Sequence, residues 1–133
     1  MLELRNVSKT VGAATHIDGV SLTLEHGTLN VLLGPTLSGK TSLMRLMAGL
    51  DKPSSGSVWF DGSDVTGVPV RRRNVAMVYQ QFINYPTLTV YENIASPLRV
   101  AGVDAARIDA EVRRAAHLLR LEPFLARTPL SLS

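Results

Sequence analysis

Eight consecutive residues restrict this 133-residue chain more than anything else in it: Gly34-Pro35-Thr36-Leu37-Ser38-Gly39-Lys40-Thr41. They fit G-x-x-x-x-G-K-[ST] at every position. Glycines at the two ends let the backbone turn tightly, so that successive N–H groups point at one anion. Such a loop needs a strand leading in and a helix leading out. Leu29-Asn30-Val31-Leu32-Leu33 is a mostly apolar run and is expected as a central strand. Ser42 to Ala48 reads as a helix, with Gly49 as its stop. The helix N-terminus would add its partial positive charge to the same anion. Lys40 would reach the β- and γ-phosphates, and the Thr41 hydroxyl would ligand Mg²⁺. Gly34 through Ser42 is thus the expected phosphate-contacting stretch. It implies a nucleoside triphosphate, without choosing ATP over GTP or hydrolysis over transfer. A chance glycine loop is the competing reading, and it should match in well under about one in a hundred chains of this size.

The flanks read as mixed α/β. Leu2, Leu4 and Val7 suit a short opening strand, and Val20, Leu22 and Leu24 alternate with polar residues as in a half-buried strand. Val58-Trp59-Phe60 runs into Asp61-Gly62, a favoured hairpin pair. Val75 to Tyr79 is expected as a further strand. Thr89 with Glu92 forms a capping box for a short helix. Asp104 caps a longer one, with Ile108, Val112, Ala115 and Leu119 on its apolar stripe.

A phosphate loop that hydrolyses also needs a carboxylate ending a parallel strand beside it, to hold Mg²⁺. Asp61 ends an apolar run, but its hairpin signal belongs to antiparallel strands. No other apolar run ends in Asp or Glu, so the chain carries half of such a site. Composition closes other routes. There is no cysteine, and His16, His26 and His117 are scattered without metal-ligand spacing. Fourteen basic against eleven acidic residues leave a net charge of +3, too weak to imply nucleic acid. Arg71-Arg72-Arg73 is expected as a solvated basic loop. No apolar run approaches the ~20 residues of a membrane span. No secretory leader is expected from Met1 to Arg5.

Five segments, in order, resemble the N-terminal part of an ATP-binding-cassette (ABC) transporter ATPase. They are Leu4 to Lys9, the loop with Leu43, Ala48 and Gly49-Leu50, then Ser55 to Gly62, Val75 to Gln80, and Tyr85 to Ile94. The stretch from Arg73 to Gly102 is most similar to importers of carbohydrate and glycerol phosphate. The resemblance implies a partial P-loop ABC ATPase core with an antiparallel β subdomain, a β-rich core over about 1–86, and the start of a helical subdomain over about 87–133. It implies ATP and Mg²⁺ as cofactors, with Lys40 and Gln80 as catalytic residues and Thr41 and Gln80 at the metal. Gln81 offers an alternative register for Gln80. Leu132-Ser133 matches the first two residues of the family's signature, where Ser133 would contact the γ-phosphate held by a second copy. The resemblance then puts the Walker B carboxylates, the catalytic Glu and the switch His beyond residue 133, and the chain is read as a fragment. Val11 stands where the family usually stacks an aromatic ring on adenine, which puts base selectivity in doubt; His16 is a possible substitute.

The implied partners are permease transmembrane subunits, docking near Tyr85, Pro86 and Leu88, and a second ATPase subunit, the same or different. No contact with nucleic acid or with the transported solute is implied. The implied location is cytoplasmic, peripheral on the inner face of the cell membrane. Two other classes stay open. One is another P-loop enzyme, though no N-K-x-D segment for a GTPase is present. The other is a regulatory or degenerate nucleotide-binding module without hydrolysis.

Overall fold

The structure is a computed structural model, and it describes residues 1–81 and 83–132. The chain divides into two compact units, 1–78 and 79–133, upstream of the boundary near 86 expected from the motifs.

The first unit is built on a four-stranded antiparallel sheet, in the order β2-β1-β3-β4. Its strands are β1 (Leu2–Val11), β2 (Ala14–Leu24), β3 (Ser55–Phe60) and β4 (Ser63–Asp64). Leu4, Val7, Ile17 and Val58 share one face; Leu4 and Val7, three residues apart, do so because β1 carries an extra residue between them. Against that face packs α1 (Lys40–Ala48), which contributes Leu43 and Leu46, three residues apart and so on one side of the helix. Asp61 and Gly62 both have positive φ, +48° and +76°, which makes the β3–β4 link a type I′ hairpin turn. Asp61 thus belongs to a hairpin, as expected. Its carboxylate accepts from the Met1 ammonium and pairs with His26, each at 2.5 Å.

Two expected strands are not there. Residues 29–33 and 75–79 have no ladder partner among the described residues. An apolar run becomes a strand only when at least one neighbouring strand pairs with its N–H and C=O groups. Here Leu29, Leu33 and Val78 stand 93, 84 and 92% exposed.

The expectation of a solvated Arg71–Arg73 also needs correction. Arg71 and Arg72 are exposed, but Arg73 is half-buried. Its guanidinium donates to the carbonyls of Val68 at 2.8 Å and Met47 at 3.4 Å, and to that of Val65. The Met47 carbonyl is one of those left open at the end of α1. Gly49 leaves room for the guanidinium: a Cβ there would lie 2.4 Å from it.

Arg45 grips Asp51 just beyond the same helix end, through two hydrogen bonds of 2.7 and 2.8 Å. Those bonds hold the Asp51 carboxyl below the usual carboxylate range. A carboxylate with a depressed folded value stabilises the fold fully above its unfolded value and loses that contribution as pH falls through the folded one. Acid titration of stability should therefore show a loss below the ordinary carboxylate range that Asp51→Asn removes. The pair is partly exposed, so we expect about 0.3–1 kcal/mol.

The second unit pairs α2 (Val90–Val100) with α3 (Ala105–Leu119). Thr89 caps α2 by accepting from the Glu92 N–H at 3.1 Å, and Asp104 caps α3 by accepting from the Arg107 N–H at 2.9 Å. Only half of the expected capping box forms, because the Glu92 carboxylate turns to Arg99. Pro97 inside α2 cannot donate to the Asn93 carbonyl, and the Ser96 hydroxyl does so at 3.3 Å instead. The core holds Ala95, Ile108 and Val112. The buried face of α3 ends on Ala116; Ala115 is half-buried and Leu119 is exposed, which corrects the expected stripe. The Val90 and Tyr91 N–H groups, orphans of the first turn of α2, donate to the carbonyls of Arg127 at 2.8 Å and Leu125 at 3.0 Å.

Candidate functional site: a phosphate-loop cleft

The loop from Gly34 to Lys40 closes on its own lysine. The Lys40 ammonium donates to the carbonyls of Gly34 at 2.8 Å and Pro35 at 2.5 Å, and to the Ser38 hydroxyl at 3.2 Å. Gly34 makes this ring possible: a Cβ there would lie 2.8 Å from the Ser38 oxygen. Gly39, at φ +85°, begins α1 without any side-chain cap, and the first turn of α1 holds no acidic residue. The leading amides of α1 are therefore unclaimed by side chains, and their partial charge is not neutralised.

Gly39 also sets a second wall. A Cβ there would come within 2.7 Å of the His16 carbonyl oxygen and 2.9 Å of Ile17 Cδ1. The absence of a side chain lets the loop lie directly on β2. Between loop and strand opens a cleft of about 500 Å³, lined by Thr15, His16 and residues 36–42. That size falls within the roughly 300–1,000 Å³ of small-molecule sites.

Thr36 through Ser42 thus share one cleft, with Lys40 half-buried and Thr41 exposed in the first turn of α1. Gly34 and Pro35 contribute carbonyls to the lysine ring rather than a wall. Val11 lies beside the β1–β2 turn, 54% exposed, and is not among the residues lining the cleft. Gln80 and Gln81 are exposed residues of the second unit, in a segment without helix or strand. Ser133 lies outside the described residues. In the second unit, the Asn93 side chain ties down the loop ahead of α2. Its Oδ1 accepts from the Tyr85 N–H at 2.8 Å, and its Nδ2 donates to the carbonyls of Tyr85, Leu88 and Thr89 at 2.9–3.2 Å. The Tyr85 side chain stays exposed.

The donor set is amides, an ammonium and hydroxyls, which suits a phosphate chain with an associated cation. The motif reading found these residues, but not the part of β2 that faces them. Thr15 carries no sequence signal for a cleft, and His16 enters the sequence reading only as a substitute for the aromatic ring missing at Val11; the close approach at Gly39 is what brings β2 to the loop.

Leu37 is a mismatch between side chain and backbone. It takes φ +66°, in the left-handed region, and is 99% exposed. A residue with a Cβ is strained there by about 1–2 kcal/mol, and this one has no packing to set against the strain. Leu37→Gly should raise the urea midpoint by an amount equivalent to about 0.5–1 kcal/mol, after allowing for the looser unfolded chain. A lowered midpoint would show that the leucine makes a contact of its own.

Three comparisons bear on this cleft. A family model described as ABC transporter matches residues 17–133. The chain is 43% identical, over its whole length, to the spermidine/putrescine import ATP-binding protein PotA of Pseudomonas aeruginosa, covering 37% of that protein. It is 42% identical over 92% of its length to the Fe(3+) ions import ATP-binding protein FbpC of Escherichia coli K12, covering 35% of it. It is 40% identical over 99% of its length to the alpha-glucoside transport ATP-binding protein AglK of Rhizobium meliloti, covering 36% of it. The chain thus spans a little over a third of the length of the curated relatives it matches. Among solved structures, it superimposes in full on 63% of a chain of the ATP-binding cassette MJ0796, a dimer in a post-hydrolysis state bound to ADP and Pi, with TM-score 0.86 and 28% identity.

Proposed function

We propose a function for this chain from one premise: it belongs to the ABC transporter family. It binds ATP as part of the ATPase subunit of an ABC importer, which couples ATP binding and hydrolysis to solute uptake. The observation that carries this reading is the phosphate loop with its lysine ring and its uncapped α1. The amides of 36–42 and the α1 N-terminus hold the phosphates. Lys40 leaves its loop carbonyls for the β- and γ-phosphate oxygens. By the family match, Thr41 and Gln80 would each be a ligand to Mg²⁺, which would neutralise phosphate charge when bound. Gln80 also relays to the permease, and Ser133 meets the γ-phosphate of a second copy.

The partners are permease subunits, met near Tyr85, Pro86 and Leu88, and a second ATPase subunit. The location is the inner face of the cell membrane; among the described residues no helix is long and apolar enough to cross it. Carbohydrate-type cargo is supported by the alpha-glucoside relative and by the stretch from Arg73 to Gly102. Polyamine import is the second reading, favoured by the 43% relative. Residues 1–133 alone should hydrolyse ATP little or not at all, since no apolar run in them supplies the Mg²⁺ carboxylate.

Equilibrium titration with ATP, with and without Mg²⁺, tests the site. Saturable binding that Mg²⁺ tightens, with the Mg²⁺ effect lost in Thr41→Ala, is the expected result. Binding indifferent to both would overturn it. Uptake of labelled α-glucoside against labelled spermidine, by cells carrying the full transporter, separates the two cargo readings.

A further inference from the structure

We propose that Arg73 is a positioning residue for the phosphate site. By tying the last turn of α1 to the β3 side of the sheet, its guanidinium sets the direction in which the leading amides of α1 point. This rests on the reading of the loop as a triphosphate site.

Helix α1 has nine residues, a rod of about 13 Å. Its buried residues, Leu43 and Leu46, lie in its middle, so they seat the rod on the sheet without fixing its tilt. The two ends decide the tilt. The leading end rests on β2, where Gly39 lies against the His16 carbonyl. The trailing end is held from the other side of β1, since β2 and β3 flank that strand. There the Arg73 guanidinium donates to the Met47 carbonyl in the last turn, and to the carbonyls of Val65 and Val68. Val65 in turn gives its N–H to the Val58 carbonyl of β3 at 2.9 Å, and Val58 is fully buried. The link from helix end to core strand thus runs through the Arg73 fork, whose several fixed donors reach three carbonyls at once. Without it, α1 keeps its seat and its contact with β2 but swings about them. Hydrogen bonds weaken steeply as they bend, so amides aimed at phosphate oxygens lose hold.

Such coupling is reciprocal: if the clamp favours bound phosphate, bound phosphate favours the clamp by the same factor. Residues 65–73 do not line the cleft, so any response there to a ligand has to travel along α1.

The experiment is equilibrium titration of the full chain with Mg·ATP and Mg·tripolyphosphate, for wild type, Arg73→Met, Arg73→Lys and, as a destabilised control, Gly62→Ala. Arg73→Met should weaken both ligands alike, by about tenfold, as for one lost amide–phosphate bond. Arg73→Lys keeps the charge but not the fork and should lose at least half as much on a logarithmic scale. Gly62→Ala should bind both within about twofold of wild type. Hydrogen exchange supplies a readout that a merely structural arginine would not move. Mg·ATP should slow the Val65, Val68 and Arg73 amides by up to about tenfold in wild type, and not in Arg73→Met. Should Arg73→Met fail to fold, Arg73→Lys and the wild-type exchange decide the matter. Wild-type affinity in either Arg73 variant, an equal loss in Gly62→Ala, or exchange at these amides indifferent to Mg·ATP would overturn the proposal while leaving the loop reading intact. Wild-type protein that binds neither ATP nor tripolyphosphate would overturn both.

Discussion

Gly56→Ala should destabilise the first unit by about 2–5 kcal/mol, read as a fall in the denaturant midpoint followed through Trp59, the single tryptophan. Two costs add. Gly56 sits at φ +79°, where a Cβ costs about 1–2 kcal/mol. That Cβ would also lie 2.2 Å from the Asn6 carbonyl oxygen, 2.5 Å from its carbon and 2.6 Å from the Arg5 oxygen. These are backbone atoms and cannot rotate away, so the strands must part, at about 1–3 kcal/mol. The crowding has a local origin. Arg5 pairs with Ser57 and Ser8 with Ser55, so β1 carries one extra residue between the two pairings. At this bulge Asn6 takes φ +51° and gives its N–H to the Ser21 hydroxyl at 2.8 Å. Gly56 is the residue small enough to face it. Gly62→Ala is the internal comparison: φ is +76° there too, but nothing lies within 4 Å of the added carbon. It should cost only about 1–2 kcal/mol, and equal losses at both positions would contradict the account.

Lys40→Ala should weaken Mg·ATP binding by roughly 100-fold while leaving the unfolding midpoint within about 0.5 kcal/mol of wild type. Charge-assisted hydrogen bonds contribute about 1.5–3 kcal/mol each, and the ammonium can give more than one to a phosphate chain. Part of that gain is cancelled, since Lys40 first has to leave the Gly34 and Pro35 carbonyls. Those carbonyls belong to exposed residues, and water replaces the ammonium once it is removed. The variant should thus separate binding from folding. A large stability loss without a binding loss would make the lysine ring structural.

The sheet was readable in the sequence wherever its strands are close neighbours along the chain. The alternation at Val20–Leu24 and the Asp61-Gly62 pair both led to the right elements, because an antiparallel hairpin carries its partner with it. Residues 29–33 and 75–79 have equally good strand chemistry, but a parallel strand depends on partners brought from elsewhere, and periodicity says nothing about those. The α3 stripe was right at Ile108 and Val112 and one residue off at Ala116, as expected when the apolar period is read from small residues. The phosphate loop was legible because all its residues are contiguous. Thr15 was not, and His16 was offered only through the family resemblance, since this part of β2 reaches the cleft through a backbone contact at Gly39. Arg73 was hidden for a related reason: within a run of three arginines, nothing marks the one whose partners are the carbonyls of residues 47, 65 and 68.

The hydrogen bonds from Val90 and Tyr91 to residues 127 and 125 also impose an order in time. Synthesis adds roughly 5–20 residues per second. The start of α2 therefore leaves the ribosome seconds before its acceptors exist, and its leading amides must stay in water until then. Thr89, adjacent in the chain, supplies a cap at once, so α2 can form early but can be locked only late. The second unit should consequently gain protection against proteolysis in one step, when residues 125–127 emerge, rather than gradually as its helices appear.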